Sequence, residues 1–218
     1  MEILAQIFEA VINWIYSFTG DYGVAIVVIT IVIRACMVPL NIRQRKQMEK
    51  QKEISKEVEI IKAKYGKNQE KLNNELQKVY QKNGIGMGGC LLPFLQIPVM
   101  YGLYKAISMI ALGGTATVLL PWVASILVRD HMLVLPIATI LVQILPQTYP
   151  YLRFFKSLEL QKAPVPTIII LLLANSLFVF AIPSGIGLYY FVSGLFASVE
   201  QFVVNVIEMQ QRKQAVTV

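Results

Sequence analysis

The segment AIVVITIVIRACMVPL, residues 25–40, decides the fold class of this chain. Nine uncharged residues run directly into Arg34, and eight more follow before the basic run RQRK at 43–46. A bilayer core of roughly 30 Å needs about 20 apolar helical residues for one crossing. The segment is therefore predicted to cross a membrane, and Arg34 is predicted to lie within the lipid-embedded part of the helix.

The chain as a whole has the composition of a membrane protein. Of its 218 residues, 56% are hydrophobic and only 15% are charged, and the apolar residues lie in long blocks. The longest block is interrupted by Pro183, Ser184 and Gly185, a strong turn signal. The sequence predicts an all-α polytopic membrane protein with five transmembrane helices, at about 23–40, 91–112, 132–149, 167–182 and 186–206.

Lysine and arginine are distributed unevenly between the predicted loops. Seventeen of them lie in residues 41–90, 150–166 and the tail 207–218, whereas the opposite side carries only Arg129. Loops rich in these residues remain on the cytoplasmic side of a membrane. We therefore predict an external N-terminus and a cytoplasmic C-terminal tail. The same asymmetry explains the net charge of +7, so no specific nucleic-acid partner is expected.

An amphipathic helix is predicted at residues 1–21. This segment has neither a basic start nor a small-residue cleavage site, so it is not read as an intact signal peptide. Its pattern is typical of a helix lying in the outer membrane interface. The predicted apolar stripe consists of Ile3, Leu4, Ile7, Phe8, Val11, Trp14, Ile15 and Phe18.

A cytoplasmic helical hairpin is predicted at residues 41–83. Its outer faces are strongly basic, so they either face lipid head groups or form a docking arm for a ribosome, a targeting factor or an emerging chain. Heptad spacing on the two helices predicts the apolar contact positions, which are Ile54, Val58, Ile61, Leu72, Leu76 and Val79.

Polar side chains in several predicted transmembrane helices lie at a similar depth, although a charge there costs about 2.5–3.5 kcal/mol. Arg34, Gln143 and Glu200 each lie roughly 9 Å from the cytoplasmic end of a helix, at 1.5 Å per residue. Asn175 lies about 12 Å from its end by the same count. Thr30 shares a helical face with Arg34. Together these residues predict a hydrophilic groove in the inner half of the bilayer, open to the cytoplasm.

Other roles remain open for these residues. Arg34 could extend its side chain to the head groups, or Glu200 could pair with it and compete with a substrate carboxylate. Gln143 and Asn175 could instead form hydrogen bonds between helices. The alternative function is a secondary transporter with Arg34 and Glu200 as an ion or substrate path, although five helices do not divide into two equal repeats.

The sequence offers little for catalysis or metal binding. It contains neither a phosphate-binding loop of the form GxxxxGK[ST] nor an HExxH motif. Lys105 and Ser108 could form a hydrolase pair, but no oxyanion site accompanies them. We therefore expect no enzyme activity, cofactor or metal. Cys36 and Cys90 are interpreted as packing residues, not as a disulfide.

Three stretches carry a family resemblance: DYGVAIVVITIVIRACMVPL at 21–40, GMGGCLLPFLQIPVMYGLYKAI at 86–107 and IPSGIGLYYFVSGLFASVEQ at 182–201. They closely resemble the YidC/Oxa/Alb membrane protein insertases, and the similarity covers residues 22–205. The short chain looks like the Gram-positive bacterial form. The resemblance implies a multi-pass protein of the bacterial plasma membrane with a five-helix core and a hydrophilic groove.

The resemblance also implies a function and particular site residues. Arg34 is similar to the groove arginine of the family and Gln143 to the polar residue of its third helix. Tyr190 occupies the position of a groove aromatic, while Gly194 and Glu200 stand where asparagine and glutamine are frequent. The implied activity is insertion and chaperoning of newly made membrane proteins without nucleotide hydrolysis. The implied partners are these clients and the lipid bilayer, with the ribosome, a targeting factor and the Sec translocon as candidates.

Overall fold

A computed structural model describes residues 2–66, 69–83, 91–110, 116–152, 154–155 and 165–216. Within these ranges all regular structure is helical and no strand occurs, which confirms the predicted all-α class. The predicted packing role of Cys90 lies outside the described residues. The helices are α1 Glu2–Thr19, α2 Tyr22–Tyr65, α3 Gln69–Asn83, α4 Leu91–Ile110, α5 Val134–Thr148, α6 Val165–Ala181 and α7 Ser184–Val216.

The chain divides into two compact units. The first consists of Met1–Cys36 and Met100–Val218, and the second is Met37–Val99. The boundaries between them fall within α2 and α4. Arg34 and the other predicted groove residues therefore belong to the first unit, and the predicted hairpin contacts belong to the second.

Two of the described helices are long and apolar enough to cross a membrane, over Tyr22–Gln47 and Ser184–Gln211. A shorter apolar helix covers Ile168–Ala181. Many large apolar side chains of the first unit are exposed, including Leu141, Leu177 and several others on α5, α6 and α7. An apolar outer surface of this kind is typical of a protein surrounded by lipid.

The first unit is built around α5, which packs against both α6 and α7. A buried apolar cluster lies between α5, α7 and the loop at residues 116–133. It consists of Leu120, Val123, Leu135 and Leu188, with Val27, Phe191 and Val192 packed against it. The loop is therefore part of the core and contributes buried side chains to it.

Loop 116–133 is tied to the start of α2 by the Asp21 carboxylate. This carboxylate accepts hydrogen bonds from the Val24 amide at 3.0 Å, the Thr117 hydroxyl at 2.7 Å and the Val118 amide at 2.6 Å. Burial alone raises the pKa of Asp21, but these hydrogen bonds outweigh that effect and hold the pKa below its ordinary value of 3.8. Asp21 is thus ionised at neutral pH and caps α2 while it anchors the loop.

The same loop caps α5. The buried Asp130 carboxylate accepts hydrogen bonds from the Met132 amide at 2.9 Å and the Leu135 amide at 2.8 Å. Between them Leu133 adopts a left-handed conformation, with φ of 59°. This strained residue is held because the flanking amides are both bonded to one carboxylate.

The loop also contacts the break between α6 and α7. The Ser184 amide donates to the Val128 carbonyl at 2.9 Å, and the Gly185 amide donates to the Ile126 carbonyl at 2.7 Å. A Cβ on Gly185 would lie 3.1 Å from that carbonyl oxygen, so glycine permits this approach. The helical break coincides with the predicted Pro183-Ser184-Gly185 turn.

The predicted apolar stripe of α1 is divided between two surfaces. Phe8 and Ile15 are buried, and so is Ile12, which the predicted stripe did not include. The other described members of the stripe are exposed, with Trp14 at 65%. The predicted stripe is therefore partly buried and partly exposed, and the location of α1 in the outer interface stays a prediction. One side of α1 packs against the rest of the first unit, and the other side carries exposed apolar side chains.

The opposite end of the first unit contains an aromatic cluster. Tyr149, Phe155 and Met209 are buried together, and Phe202 packs against both aromatic rings at centroid distances of 6.0 and 5.5 Å. The Tyr149 hydroxyl donates to the Ser198 carbonyl at 2.9 Å. This cluster fixes the segment that follows α5 against α7.

Cys36 is a free, exposed cysteine on α2. Its interpretation as a packing residue inside the protein was therefore wrong. An apolar residue on the surface of a membrane-length helix can face lipid, and hydropathy alone does not distinguish that position from a buried one.

The second unit contains the C-terminal part of α2 together with α3. The predicted contact positions on both helices are half-buried, and Val79 is buried. By contrast Ile60 is 67% exposed, so this apolar residue of α2 lies outside the predicted contact positions. An exposed pair joins Lys78 to Glu75 over 2.7 Å, and such pairs contribute little to stability.

Candidate functional site

Arg34 lies on α2 and is half-buried in the first unit. Thr30, one helical turn before it, is completely buried, and its hydroxyl donates to the Ile26 carbonyl of the same helix. The structure therefore places Thr30 in the core, where its polar group is satisfied locally. Arg34 is the polar group of this helical face that keeps access to the surroundings.

Tyr190 connects residues from four helices. Its hydroxyl donates to the Met100 sulfur on α4 at 2.9 Å. Its ring packs edge-on against Phe178 of α6 at 5.5 Å. The phenol also interacts electrostatically with Arg34 of α2. An ionisable group, an aromatic ring and a thioether thus meet in one half-buried region. Sequence reasoning missed Met100, since an isolated methionine in an apolar segment gives no signal of its role.

Gln143 and Asn175 both line a cavity of about 80 Å³ between α5 and α6. The structure therefore brings together these two residues, which the sequence placed at similar depth. Gln147, one turn beyond Gln143, also lines the cavity and was missed by the sequence analysis. The i, i+4 spacing of the two glutamines on α5 was the available signal. The full lining is Gln143, Ile144, Gln147, Ile168, Leu172 and Asn175.

Gly194 allows α7 to approach α5 closely beside Gln143. A Cβ on this glycine would lie 3.3 Å from Val142 Cγ1 and 3.4 Å from Gln143 Cγ. A larger residue here would displace the Gln143 side chain. Gly194 therefore influences the position of Gln143 although it has no polar side chain itself.

Glu200 is half-buried on α7. It lies ten residues beyond Tyr190, or roughly 15 Å along the helix. The depth estimate for Glu200 assumed that the transmembrane part of this helix ends near residue 206, whereas α7 continues to Val216. Of the other predicted site residues, Gln143 and Asn175 line one cavity, and the charge of Arg34 acts on the Tyr190 phenol.

These arrangements suit recognition better than bond-breaking chemistry. A guanidinium in partly dehydrated surroundings attracts a carboxylate more strongly than it would in water. The hydroxyl of Ser108, the predicted hydrolase partner of Lys105, donates to the Tyr104 carbonyl of its own helix at 2.8 Å. Among the described residues, no group of three or more His, Cys, Asp or Glu side chains is placed to hold a metal ion.

The fold defines an all-helical membrane protein. The family model described as 60Kd inner membrane protein matches residues 14–212. The chain belongs to the YidC/Oxa/Alb family of membrane proteins. Family membership and the apolar helices support an inner-membrane location.

Relatives named membrane protein insertase YidC align with most of the chain. The one from Caldanaerobacter subterraneus subsp. tengcongensis is 31% identical over 205 residues, which are 93% of this chain and 94% of the relative. The one from Wolinella succinogenes is 31% identical over 207 residues, 94% of this chain but 37% of the relative. The one from Geobacter sulfurreducens is 25% identical, over 89% of this chain and 35% of the relative. The chain thus spans nearly all of the first relative and little more than a third of the other two.

Proposed function

We propose that this protein is a membrane protein insertase and chaperone that inserts client membrane proteins without nucleotide hydrolysis. The observation that carries the proposal is the position of Arg34, half-buried within a long apolar helix. A cation is costly in such a helix, so its presence there indicates a function. The names of the relatives support the same activity.

The proposed topology has five transmembrane helices, formed by α2, α4, α5, α6 and α7. The N-terminus lies outside with α1 in the outer interface, and residues 41–83 form a cytoplasmic hairpin. This orientation is supported by the seventeen lysines and arginines of the predicted cytoplasmic segments. It places the aromatic cluster around Tyr149 near the cytoplasm and loop 116–133 on the outer side.

In the proposed mechanism, a hydrophilic and often acidic segment of the client enters a groove from the cytoplasm. Arg34 attracts its carboxylates, while the apolar segment of the client moves into lipid along the outer surface of the helices. The transfer is driven by burial of the client's own apolar surface, at about 25 cal/mol per Å². No nucleotide and no resident cofactor are needed for this step.

The short length of two helices favours passage of the polar client segment across the bilayer. At 1.5 Å per residue, α5 and α6 reach roughly 22 and 26 Å, less than the roughly 30 Å of a bilayer core. Hydrophobic mismatch of this size is relieved by local thinning of the bilayer. The polar segment of a client would then cross a thinner apolar layer beside these helices.

Loop 116–133 supports closure of the groove on the outer side. Its apolar side chains belong to the buried cluster with Leu135 and Leu188, and Asp21 fixes its start. A groove closed outside and open inside holds a client segment without forming a continuous pore. Ions would then not leak across the membrane during insertion.

The proposed partners are newly made membrane proteins and the lipid bilayer. The ribosome, a targeting factor and the Sec translocon are candidate partners, and the basic hairpin at residues 41–83 is the surface proposed for docking. The exposed basic faces of such a hairpin are suited both to anionic partners and to anionic lipid.

The experiment is reconstitution of the purified full chain in liposomes with a single-span client that carries an acidic external segment. Insertion is measured by protease protection in the absence of ATP. We expect protection of the client in these vesicles and little in protein-free vesicles. Uptake of a small solute without client insertion would contradict the proposal and favour a transporter.

A further inference from the structure

The cavity between α5 and α6 has a lining that differs from the surroundings of Arg34. We call it the amide cleft, defined by Gln143, Ile144, Gln147, Ile168, Leu172 and Asn175. Three of these residues carry carboxamides, three are aliphatic and none is charged. The polar groups of the cleft are therefore all neutral.

A neutral lining selects the kind of group that can enter. Transfer of a carboxylate or an ammonium out of water is expensive unless an opposite charge compensates it. A carboxamide of the ligand, by contrast, meets both donors and acceptors, because Gln143, Gln147 and Asn175 each provide an NH₂ group and a carbonyl oxygen. The closest chemical match to such a lining is another primary carboxamide.

One atom of the cleft lacks a partner of its own. The Gln143 Oε1 atom is buried and accepts no hydrogen bond from any residue in the described ranges. A buried acceptor left in this state costs free energy. Close packing of Gly194 near Gln143 Cγ restricts where this side chain can go. A donor brought by a ligand would satisfy this acceptor once rotation of the Gln143 carboxamide turns Oε1 toward the cleft.

The size of the cleft limits the ligand to one side chain. A cavity needs about 10–15 Å³ of comparable volume to hold one water molecule. The cleft, at about 80 Å³, therefore has room for several waters or for one medium-sized side chain in their place. It is much too small for a helix, whose diameter is about 10 Å.

From these observations we infer that the amide cleft is a recognition subsite for an uncharged carboxamide side chain, asparagine or glutamine, carried by the apolar segment of a client. The inference rests on the proposed insertase function. The aliphatic half of the lining, Ile144, Ile168 and Leu172, suits the apolar neighbours of such a residue. The cleft holds the polar group while the remainder of the segment stays in lipid.

The cleft and Arg34 then divide recognition by charge. Arg34 is not part of the cleft lining, whereas Gln143 and Asn175 line it from α5 and α6. A carboxylate of the client is attracted by Arg34 and a carboxamide by the cleft. Changes at the two places are expected to affect different clients.

The test uses the full chain in liposomes and two single-span clients that differ at one guest position, asparagine or leucine, within the apolar segment. A photoreactive residue beside the guest reports contact with α5 or α6. The readout is the ratio of cross-links from the asparagine client to those from the leucine client. The variant is Gln143→Met with Asn175→Leu. The matched control is Ser176→Ala, because the Ser176 hydroxyl donates to the Leu172 carbonyl of its own helix at 2.7 Å and does not line the cleft.

We expect the asparagine client to be preferred by wild type by about threefold to tenfold, the range of interhelical hydrogen bonds in membranes. The ratio should fall to about one in the double variant and persist in Ser176→Ala. It should also persist in Arg34→Ala, even though that variant inserts acidic clients less well. If the double variant inserts neither client, the same ratio is measured with Gln147→Met, and it should fall toward one. Gln147 is exposed, so this change should not impair folding.

The inference is overturned by a ratio near one in wild type, by an unchanged ratio in the double variant, or by cross-links from the guest that go to lipid and not to α5 or α6. Failure of the proposed function is a separate outcome, because wild type would then insert neither client. A lost ratio in Ser176→Ala would also contradict a role specific to the carboxamides.

Discussion

The Thr117 hydroxyl donates a hydrogen bond of 2.7 Å to the Asp21 carboxylate, although the two residues are 96 positions apart in the sequence. The bond joins the first turn of α2 to loop 116–133. Beside it, Gly23 leaves the space that the Thr117 side chain occupies. We define Asp21, Gly23, Thr117 and Val118 as the latch, the contact that holds loop 116–133 against the start of α2.

Replacement of Asp21 by asparagine should destabilise the protein. The carboxylate accepts three hydrogen bonds, and bonds to a charged acceptor are worth more than neutral ones. We expect the free energy of unfolding to fall by about 1–3 kcal/mol. The fall is detected as a lower thermal or denaturant midpoint of the purified protein in detergent. The control is Ser17→Ala, since the Ser17 hydroxyl is exposed and bonds only the Trp14 carbonyl of its own helix. Equal midpoints for Asp21→Asn and the control would contradict the latch.

The contribution of Asp21 should also depend on pH in a defined direction. Its pKa is lowered in the folded protein, so the stabilisation is complete above the ordinary value of the unfolded chain, about 3.9. It is lost as the pH falls through the lower folded-state pKa. We expect the difference in stability between wild type and Asp21→Asn to be constant from pH 7 to about 5 and to shrink below about 4. A difference that already disappears near pH 6 would indicate a raised pKa and would contradict this account.

Gly23 should not tolerate alanine. A Cβ there would collide with the Thr117 hydroxyl and lie 2.8 Å from Thr117 Cβ, so the threonine would have to shift. The matched control is Gly20→Ala, which meets no atom within 4 Å and is strained only by its φ of 65°. That strain costs on the order of 1 kcal/mol. We expect Gly23→Ala to lower the stability more than Gly20→Ala does, although alanine has the higher helix propensity. The same unfolding midpoints measure both variants. A smaller loss for Gly23→Ala than for Gly20→Ala would show that the latch is not tightly packed.

Much of the helical framework follows from hydropathy, because long apolar blocks leave few alternatives to a helix in lipid. The Pro183-Ser184-Gly185 break was also predictable, since turn chemistry is local. The capping roles of Asp21 and Asp130 were not predicted, because their partners lie in a loop whose course depends on tertiary packing. The division of the α1 stripe was missed because Phe8, Ile12 and Ile15 have the spacing of one helical face, and only the tertiary packing decides which face is buried.

In the candidate site too, some residues were predictable from local sequence patterns and others depend on tertiary packing. Charge within an apolar block singled out Arg34, and equal depth brought attention to Gln143 and Asn175, which line one cavity. Depth estimates depend on where a helix leaves the membrane, and α7 continues to Val216. The same holds for Arg34, because α2 continues to Tyr65. The contact of Tyr190 with Met100 joins α7 to α4 across 90 residues of sequence, and no sequence pattern predicts it.

Replacement of Tyr190 by phenylalanine should distinguish the role of its ring in packing from the role of its hydroxyl in client recognition. The ring contact with Phe178 is kept, and the lost hydrogen bond to the Met100 sulfur is weak because a thioether is a poor acceptor. We expect a change in stability below about 1 kcal/mol but a twofold or greater fall in insertion of acidic clients. The control is Tyr104→Phe, a change of the same kind at an exposed position on α4. If both variants insert acidic clients as wild type does, the phenol has no part in recognition.

The most direct test of the central claim is insertion of clients with acidic or neutral external segments by Arg34 variants in liposomes without ATP. We predict that Arg34→Ala lowers insertion of the acidic client by about tenfold, corresponding to about 1.4 kcal/mol, and that Arg34→Lys retains most of it. The matched control is Lys105→Ala, which removes an exposed cation from α4 and should leave acidic-client insertion unchanged. Equal insertion of acidic clients by wild type and Arg34→Ala would contradict the account.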